Sequence, residues 1–200
     1  MTGPEAERSP STGRTRKLLH LSVAAVPLCW GFGLVDVTTV RVGLAVAVVV
    51  ALTTEYLRRR DPVVTAHFDA RFGRWLKPHE RAAITGATWL ACVMLAAVLL
   101  FPAPTALVAL WAGTAGDAAA ALIGGATRRA TAGRGKSLVG ALACMLATAL
   151  GAWLLGPAGW AVAGVLGVVA AAAEWPARLG DDNLRVTLAT GAAAWLLGVR

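Results

Sequence analysis

An all-α polytopic membrane protein, with about seven transmembrane helices and a cytoplasmic N-terminus, is the fold class this sequence predicts. Three observations lead there. Hydrophobic residues make up 57% of the chain and charged residues 15%, against a usual charged share of roughly 25%, and the mean hydropathy is +0.64. The apolar residues fall into several runs close to the roughly 20 residues that a spanning helix needs. The charges are segregated: of 19 Lys and Arg, all but Arg41 and Arg200 lie in the N-terminal tail or in alternate connections between runs. That asymmetry places the tail and those connections in the cytoplasm and the C-terminus outside, which requires an odd number of spans. A net charge of +8 alone would suit nucleic acid. Bases confined to loops between apolar runs instead serve orientation and acidic ligands.

Two hundred residues fit one domain. Met1–Thr15, rich in Pro, Ser, Thr, Gly and charge, is expected to be a disordered cytoplasmic tail, and residues 16–200 a single transmembrane domain. The first run, Leu18–Leu34, has no small-residue cleavage motif after it and is expected to be retained. Val40–Leu57 follows. A long basic connection then holds Arg58, Arg59, Arg60, Arg71, Arg74, Lys77 and Arg81 together with Phe72 and Trp75; it is expected to lie on the anionic leaflet. The remaining runs are Ala82–Phe101, Thr105–Ala126, Leu138–Leu155, Ala158–Trp175 and Val186–Val199, separated by breakers such as Pro102, Pro104 and Gly156-Pro157. Cys29, Cys92 and Cys144 each sit inside an apolar run with no CxxC pair, as small packing residues do.

The outer turns carry almost no charge, so any chemistry faces the cytoplasm. Asp117 is the sharpest signal. A carboxylate in a membrane helix costs about 2.5–3.5 kcal/mol even on lenient scales, and here it sits among small residues. Gly116, Asp117, Ala120, Ala121 and Gly124 share one helical face. The plain alternative is a close-packing face with Asp117 paired to an arginine. Beyond it, Arg128, Arg129, Arg134 and Lys136 form a basic loop. Arg134-Gly135-Lys136-Ser137 imitates the end of a P-loop, but Ala130 replaces the first glycine and no buried strand precedes it. Lys136 and the free amides of the helix starting at Ser137 suffice to hold phosphate, while an ordinary orienting loop is the alternative. In the last inner connection Asp181, Asp182 and Asn183, with Glu174 just before, suit Mg²⁺ shared with substrate phosphates; a helix N-cap is the simpler use. Arg16, Lys17 and His20 share a face at the first helix entrance, and Glu55 precedes Arg58 and Arg59 by three and four residues. Membrane anchors and a surface ion pair would also account for these two groups. His67 and His79 have no evident partner. The acids Glu55, Asp117, Glu174, Asp181 and Asp182 all map to the inner side beside Lys136, and metal-binding carboxylates plus cationic clamps are what phosphoryl transfer uses.

Read in order, Arg16-Lys17-x-x-His20, Glu55-x-x-Arg58, Lys77-Pro78-His79-Glu80-Arg81 before Thr85-Gly86-Ala87-Thr88, Gly116-Asp117-x-x-Ala120-x-x-x-Gly124, Lys136-Ser137-x-x-Gly140 and Asp181-Asp182-Asn183-Leu184 resemble the CTP-dependent lipid kinases. That family includes dolichol kinase, phytol kinase, the CTP-dependent diacylglycerol kinase and bacterial diacylglycerol/polyprenol kinase-like members. The resemblance implies transfer of the CTP γ-phosphate to the primary hydroxyl of a lipid alcohol, with a divalent metal such as Mg²⁺. Under it, Asp117, Asp181 and Asp182 are expected to hold the metal or position the hydroxyl, with Asn183 assisting. Lys136, with Arg128 or Arg134, would neutralise the triphosphate. Arg16, Lys17 and His20 would line the way in, Gly116, Gly124, Ser137 and Gly140 would sit by the nucleotide, and Glu55, Arg58 and Glu174 would stand nearby. A cytidylyltransferase that joins CTP to a phospholipid, and a transporter with Asp117 as its ion site, remain alternatives. The lipid tail (polyprenyl, phytyl or diacylglycerol) and the oligomeric state stay open.

Overall fold

Helices form wherever the apolar runs predict them, and their starts are set by short polar side chains. A computed structural model describes residues 18, 21–76, 78–131, 136–175 and 181–200, with the backbone alone at 79 and 128–131; the tail Met1–Thr15 lies outside these. Among the described residues there is no strand. The α-helices are α1 (Ala25–Gly31), α2 (Val37–Arg60), α3 (Pro62–Phe72), α4 (Gly86–Leu100), α5 (Ala103–Trp111), α6 (Asp117–Thr131), α7 (Leu138–Leu154), α8 (Trp160–Glu174) and α9 (Asp182–Leu196). A π-helical turn, Ala112–Gly116, joins α5 to α6, so that 103–127 is one continuous apolar helix. Asp36 caps α2 by accepting from Thr39 N at 2.6 Å, and that backbone bond holds its carboxyl below the ordinary value. Thr85, Ser137 and Asp181 cap α4, α7 and α9 in the same way.

The basic connection after α2 is not a plain loop. Asp61 accepts from Val63 N at 2.8 Å with Pro62 at the first helical position, a cap-plus-proline start, and α3 runs on from it. Two 3₁₀ turns, Gly73–Trp75 and Pro78–Arg81, complete the connection.

Two helices, Val37–Arg60 and Ala103–Thr127, are long and apolar enough to cross a membrane; Gly86–Leu100, Leu138–Leu154 and Trp160–Glu174 are apolar but shorter. The two long ones differ in place. The apolar window of Ala103–Thr127 is 72% buried and that of Val37–Arg60 only 11%, so the first is the axis of the bundle and the second its outer wall. Leu44, Leu90, Met94, Val98 and Leu110 join α2 and α4 to the axis. Val108, Leu166 and Ala194 join α8 and α9 to it. α7 approaches closely because small residues line the contact: Trp111 lays its indole over Gly151 and donates Nε1–H to Ala147 O at 2.8 Å.

The two ends of the bundle differ in charge. At one, Arg41 Nε donates to Val98 O at 3.1 Å, covering a carbonyl at the end of α4, and Thr105 Oγ1 donates to Val199 O. The opposite end gathers Glu55, Arg58, Glu80, Asp117, Lys136, Glu174 and Asp181 to Arg185.

Candidate functional site

Asp117 stands where the axis helix is interrupted. A π-turn slips the side-chain register by one residue and is frequent at functional positions; here it ends at Gly116, so Asp117 opens α6. Gly116 faces α7: a Cβ there would lie 3.5 Å from Cys144 Sγ and closer still to Thr148 Oγ1. A Cβ on Gly140 would stand 2.8 Å from Ala120 O and 3.2 Å from Gly124 Cα. Gly116, Ala120, Gly124 and Gly140 are therefore the contact between α6 and α7. Asp117, about 100° further round the helix, is left buried on the wall of a cleft.

That cleft has a volume of about 640 Å³. Its polar wall is drawn from four distant parts of the chain: Glu55 of α2, Glu80 of the second 3₁₀ turn, Asp117 of α6, and Asp181, Asp182 and Asn183 at the start of α9. Among its described lining residues there is no Lys or Arg. Asn183 is 8% exposed, and its Oδ1 accepts no hydrogen bond among the described residues. The apolar remainder of the wall comes from Val23 before α1, from α2 and α4, and from the aromatic residues of α3 and the turn after it.

The cations stand one layer behind. Lys136 Nζ lies 2.7 Å from Glu174 Oε1 and 3.3 Å from Asp182 Oδ2, and it also donates to the Glu174 carbonyl. Arg185 closes on the other oxygen of Asp182. This four-residue chain ties the end of α8, the start of α7 and the start of α9 together. Ser137 accepts from Gly140 N at 3.1 Å, so its hydroxyl caps α7.

Glu55 and Arg58 are a buried strut, not a surface pair. Arg58 Nε and Nη2 both reach Glu55 Oε2, at 2.8 and 2.7 Å. The guanidinium also donates to the carbonyls of Arg81 at 3.2 Å, Glu80 at 3.0 Å and Ala83. The other carboxylate oxygen of Glu55 accepts from Thr85 N at 2.8 Å and Thr88 Oγ1 at 3.2 Å. Glu80 accepts from Gly86 N at 3.3 Å. Two carboxylates thus satisfy the free amides at the start of α4 and complement its dipole, while Arg58 pins the returning connection to α2.

Glu55, Asp117, Asp181, Asp182 and Asn183 share the cleft wall, and Lys136 and Glu174 connect to it through Asp182. Arg16, Lys17, His20, Lys77, Arg134, Gly180 and the side chains of His79, Arg128 and Arg129 lie outside the described residues. Sequence reasoning missed Arg185 and Glu80 as members of the site. The three-residue step from Asp182 to Arg185, a usual ion-pair spacing on a helix, was available as a signal; Glu80 stood inside the Lys77-to-Arg81 motif but was given no role. Among the described residues no three His, Cys, Asp or Glu side chains cluster closely enough to hold a metal on their own. No known family model, curated protein or solved structure matches the chain.

Proposed function

We propose that the chain is a CTP-dependent kinase of a membrane lipid alcohol, spanning the bilayer about seven times and working at its cytoplasmic face. The supporting observation is the composition of one cleft. Hard oxygen groups from α2, α6 and the start of α9 line it together with apolar side chains of α2 and α4, a mixed lining that suits a substrate with a polar head and an apolar tail. The membrane setting is supported by the outer wall of the bundle. Val42, Val46, Val49, Val50, Leu52 and Leu57 of α2 are all exposed, an apolar surface that a water-facing helix of a monomer does not carry.

The chemistry follows from the residues. The acceptor hydroxyl oxygen attacks the γ-phosphorus, the bond from that phosphorus to the β-phosphate oxygen breaks, and lipid phosphate and CDP result. Asp117, buried at the cleft wall, accepts the hydroxyl proton and orients the nucleophile. Asp181 and Asn183 Oδ1 are hard oxygen donors that fit Mg²⁺, and with no three-ligand cluster among the described residues they would share it with the substrate phosphates. When bound, that ion would neutralise charge on the phosphates. A wall that carries five carboxylates repels a bare triphosphate, so donor and metal are expected to bind together. Lys136 and Arg185 hold Asp182 in place and supply positive charge just behind the phosphates. The test is incubation of purified protein with γ-labelled and α-labelled CTP and a panel of lipid alcohols. Only the γ-label is expected in the lipid; α-label there would make the chain a cytidylyltransferase, and label from neither would reject the reading.

A transporter reading has one observation in its favour. The hydroxyls of Thr148, Thr187 and Thr190 are fully buried and make no hydrogen bond among the described residues, and Thr187 and Thr148 abut Gly113 and Gly116, just before Asp117. An ion path along them predicts no CTP-dependent thermal shift and no CTP turnover.

A further inference from the structure

The apolar limb of the cleft has a direction and a width. On α2, Ala47, Ala51 and Glu55 recur every four residues and all line the cleft, so they lie along one face. Ala47 to Glu55 spans about 12 Å of helix at 1.5 Å per residue. α4 starts beside Glu55, through the Thr85 and Thr88 bonds, and presents Ala87 and Ala91, again four apart, with Leu90 between them. The cleft thus leaves the acid-lined end along α2 and α4, lined there by Ala47, Ala51, Ala87 and Ala91. It runs along the outer-wall helix, and its rim residues Ala47 and Ala87 are exposed. Phe68, Phe72 and Trp75 of the connection also line it, in tilted contact in series with ring centroids 5.1 and 6.1 Å apart.

From this we infer that the limb is the tail slot for the acceptor. It takes one unbranched or prenyl chain of a primary lipid alcohol, with the hydroxyl at Asp117 and Asn183, and Ala51 and Ala91 set the bulk it admits. The inference rests on the kinase reading for the identity of the head-group chemistry, but the slot itself does not. Two observations carry it. The buried Asn183 Oδ1 has no protein partner among the described residues and lies on the wall of the same cavity, an unmet acceptor that marks its polar end. The volume of about 640 Å³ must also hold the transferred phosphoryl group. The aliphatic lining residues of α2 and α4, Ala47, Ala51, Ala87, Leu90 and Ala91, trace a single limb in this assignment, and a two-chain glycerolipid would need a second. Methyl side chains leave the slot open; a larger residue at Ala51 or Ala91 would fill it.

The test is photolabelling of the full chain in lipid nanodiscs with a long single-chain primary alcohol that carries a diazirine in its tail, followed by mass spectrometry of the adducts. Adducts are expected on Ala51, Leu90, Ala91 and Val23. They should be displaced by excess unlabelled long-chain alcohol, not by diacylglycerol, and lost in Ala51→Phe and Ala91→Leu. Size-exclusion profiles of both variants check that they fold, and the wild-type competition needs no variant at all. Adducts confined to Val42, Val46 and Val49, or labelling that no alcohol displaces, would overturn the slot. Displacement by diacylglycerol would overturn the single-chain assignment. Saturable labelling of the slot without transfer of the CTP γ-phosphate to any alcohol would reject the kinase reading and leave the slot standing.

Discussion

Replacing Arg58 by methionine tests whether the strut between α2 and the returning connection holds the charged end together. The arginine side chain is 3% exposed and its partner Glu55 7%. Methionine keeps most of the volume but leaves the Glu55 carboxylate buried. Breaking a buried pair by removing one partner costs about 3–5 kcal/mol. Arg59 also reaches Glu55, at 3.3 Å, yet it is 42% exposed and offsets no more than about 1 kcal/mol. Of the three carbonyls that lose a donor, those of Arg81 and Ala83 belong to exposed residues and can turn to water. The carbonyl of buried Glu80 cannot, which adds about 1 kcal/mol or more. The expected loss for Arg58→Met is about 4 kcal/mol. Adding Glu55→Gln removes the stranded charge, so the double variant should recover about 2 kcal/mol, a coupling within the range for contacting residues. Equilibrium unfolding in mixed detergent–SDS micelles measures both. Limited proteolysis should show new cuts between residues 61 and 85 in the single variant. A stability within about 0.5 kcal/mol of wild type, as for a surface change, with an unchanged cleavage pattern, would refute the strut.

Three more predictions follow from the site and the packing. Asp117→Asn should abolish phosphoryl transfer while leaving the size-exclusion profile and thermal transition in detergent near wild type; turnover at the wild-type rate would remove Asp117 from the chemistry. Ser137→Ala should lower stability by about 1 kcal/mol through loss of the α7 cap and leave CTP affinity unchanged in a binding titration; weaker CTP binding would return the hydroxyl to the nucleotide. On α8, a Cβ at Gly167 would overlap the backbone oxygen of Met145, whereas one at Gly164 meets nothing within 4 Å. Gly167→Ala should therefore cost about 1–3 kcal/mol and Gly164→Ala should gain about 0.5–1 kcal/mol from helix propensity, in the same unfolding assay.

The helices and most of the acid cluster were legible in the sequence, because apolar runs and caps are local signals. Each predicted run contains or overlaps a helix, and Thr85, Ser137 and Asp181 cap helices as residues of their type do. Helix α3 was hidden inside a basic stretch, although Asp61-Pro62 is a start signal that the charge pattern overshadowed. The role of Arg58 was not legible. Three of its partners are backbone carbonyls more than 20 residues away, and a carbonyl leaves no trace in residue type. The π-turn was equally silent; it contains Gly113 and Gly116, where α9 and α7 come close. Gly116, Gly124 and Gly140 illustrate the converse case: their spacing fits both a nucleotide loop and a helix contact, and tertiary packing uses them for the contact. Lys136 was expected against phosphate; its bonds to Glu174 and Asp182 place it one layer back, a pairing across 38 and 46 positions that no local pattern encodes.

Phosphorus NMR of the purified wild-type chain with CTP, Mg²⁺ and a long-chain alcohol reads the central claim in one time course. CDP and a lipid phosphomonoester are expected to grow in equal amounts. Growth of pyrophosphate with a cytidylyl phosphodiester, or a CTP spectrum that never changes with any alcohol, would contradict it.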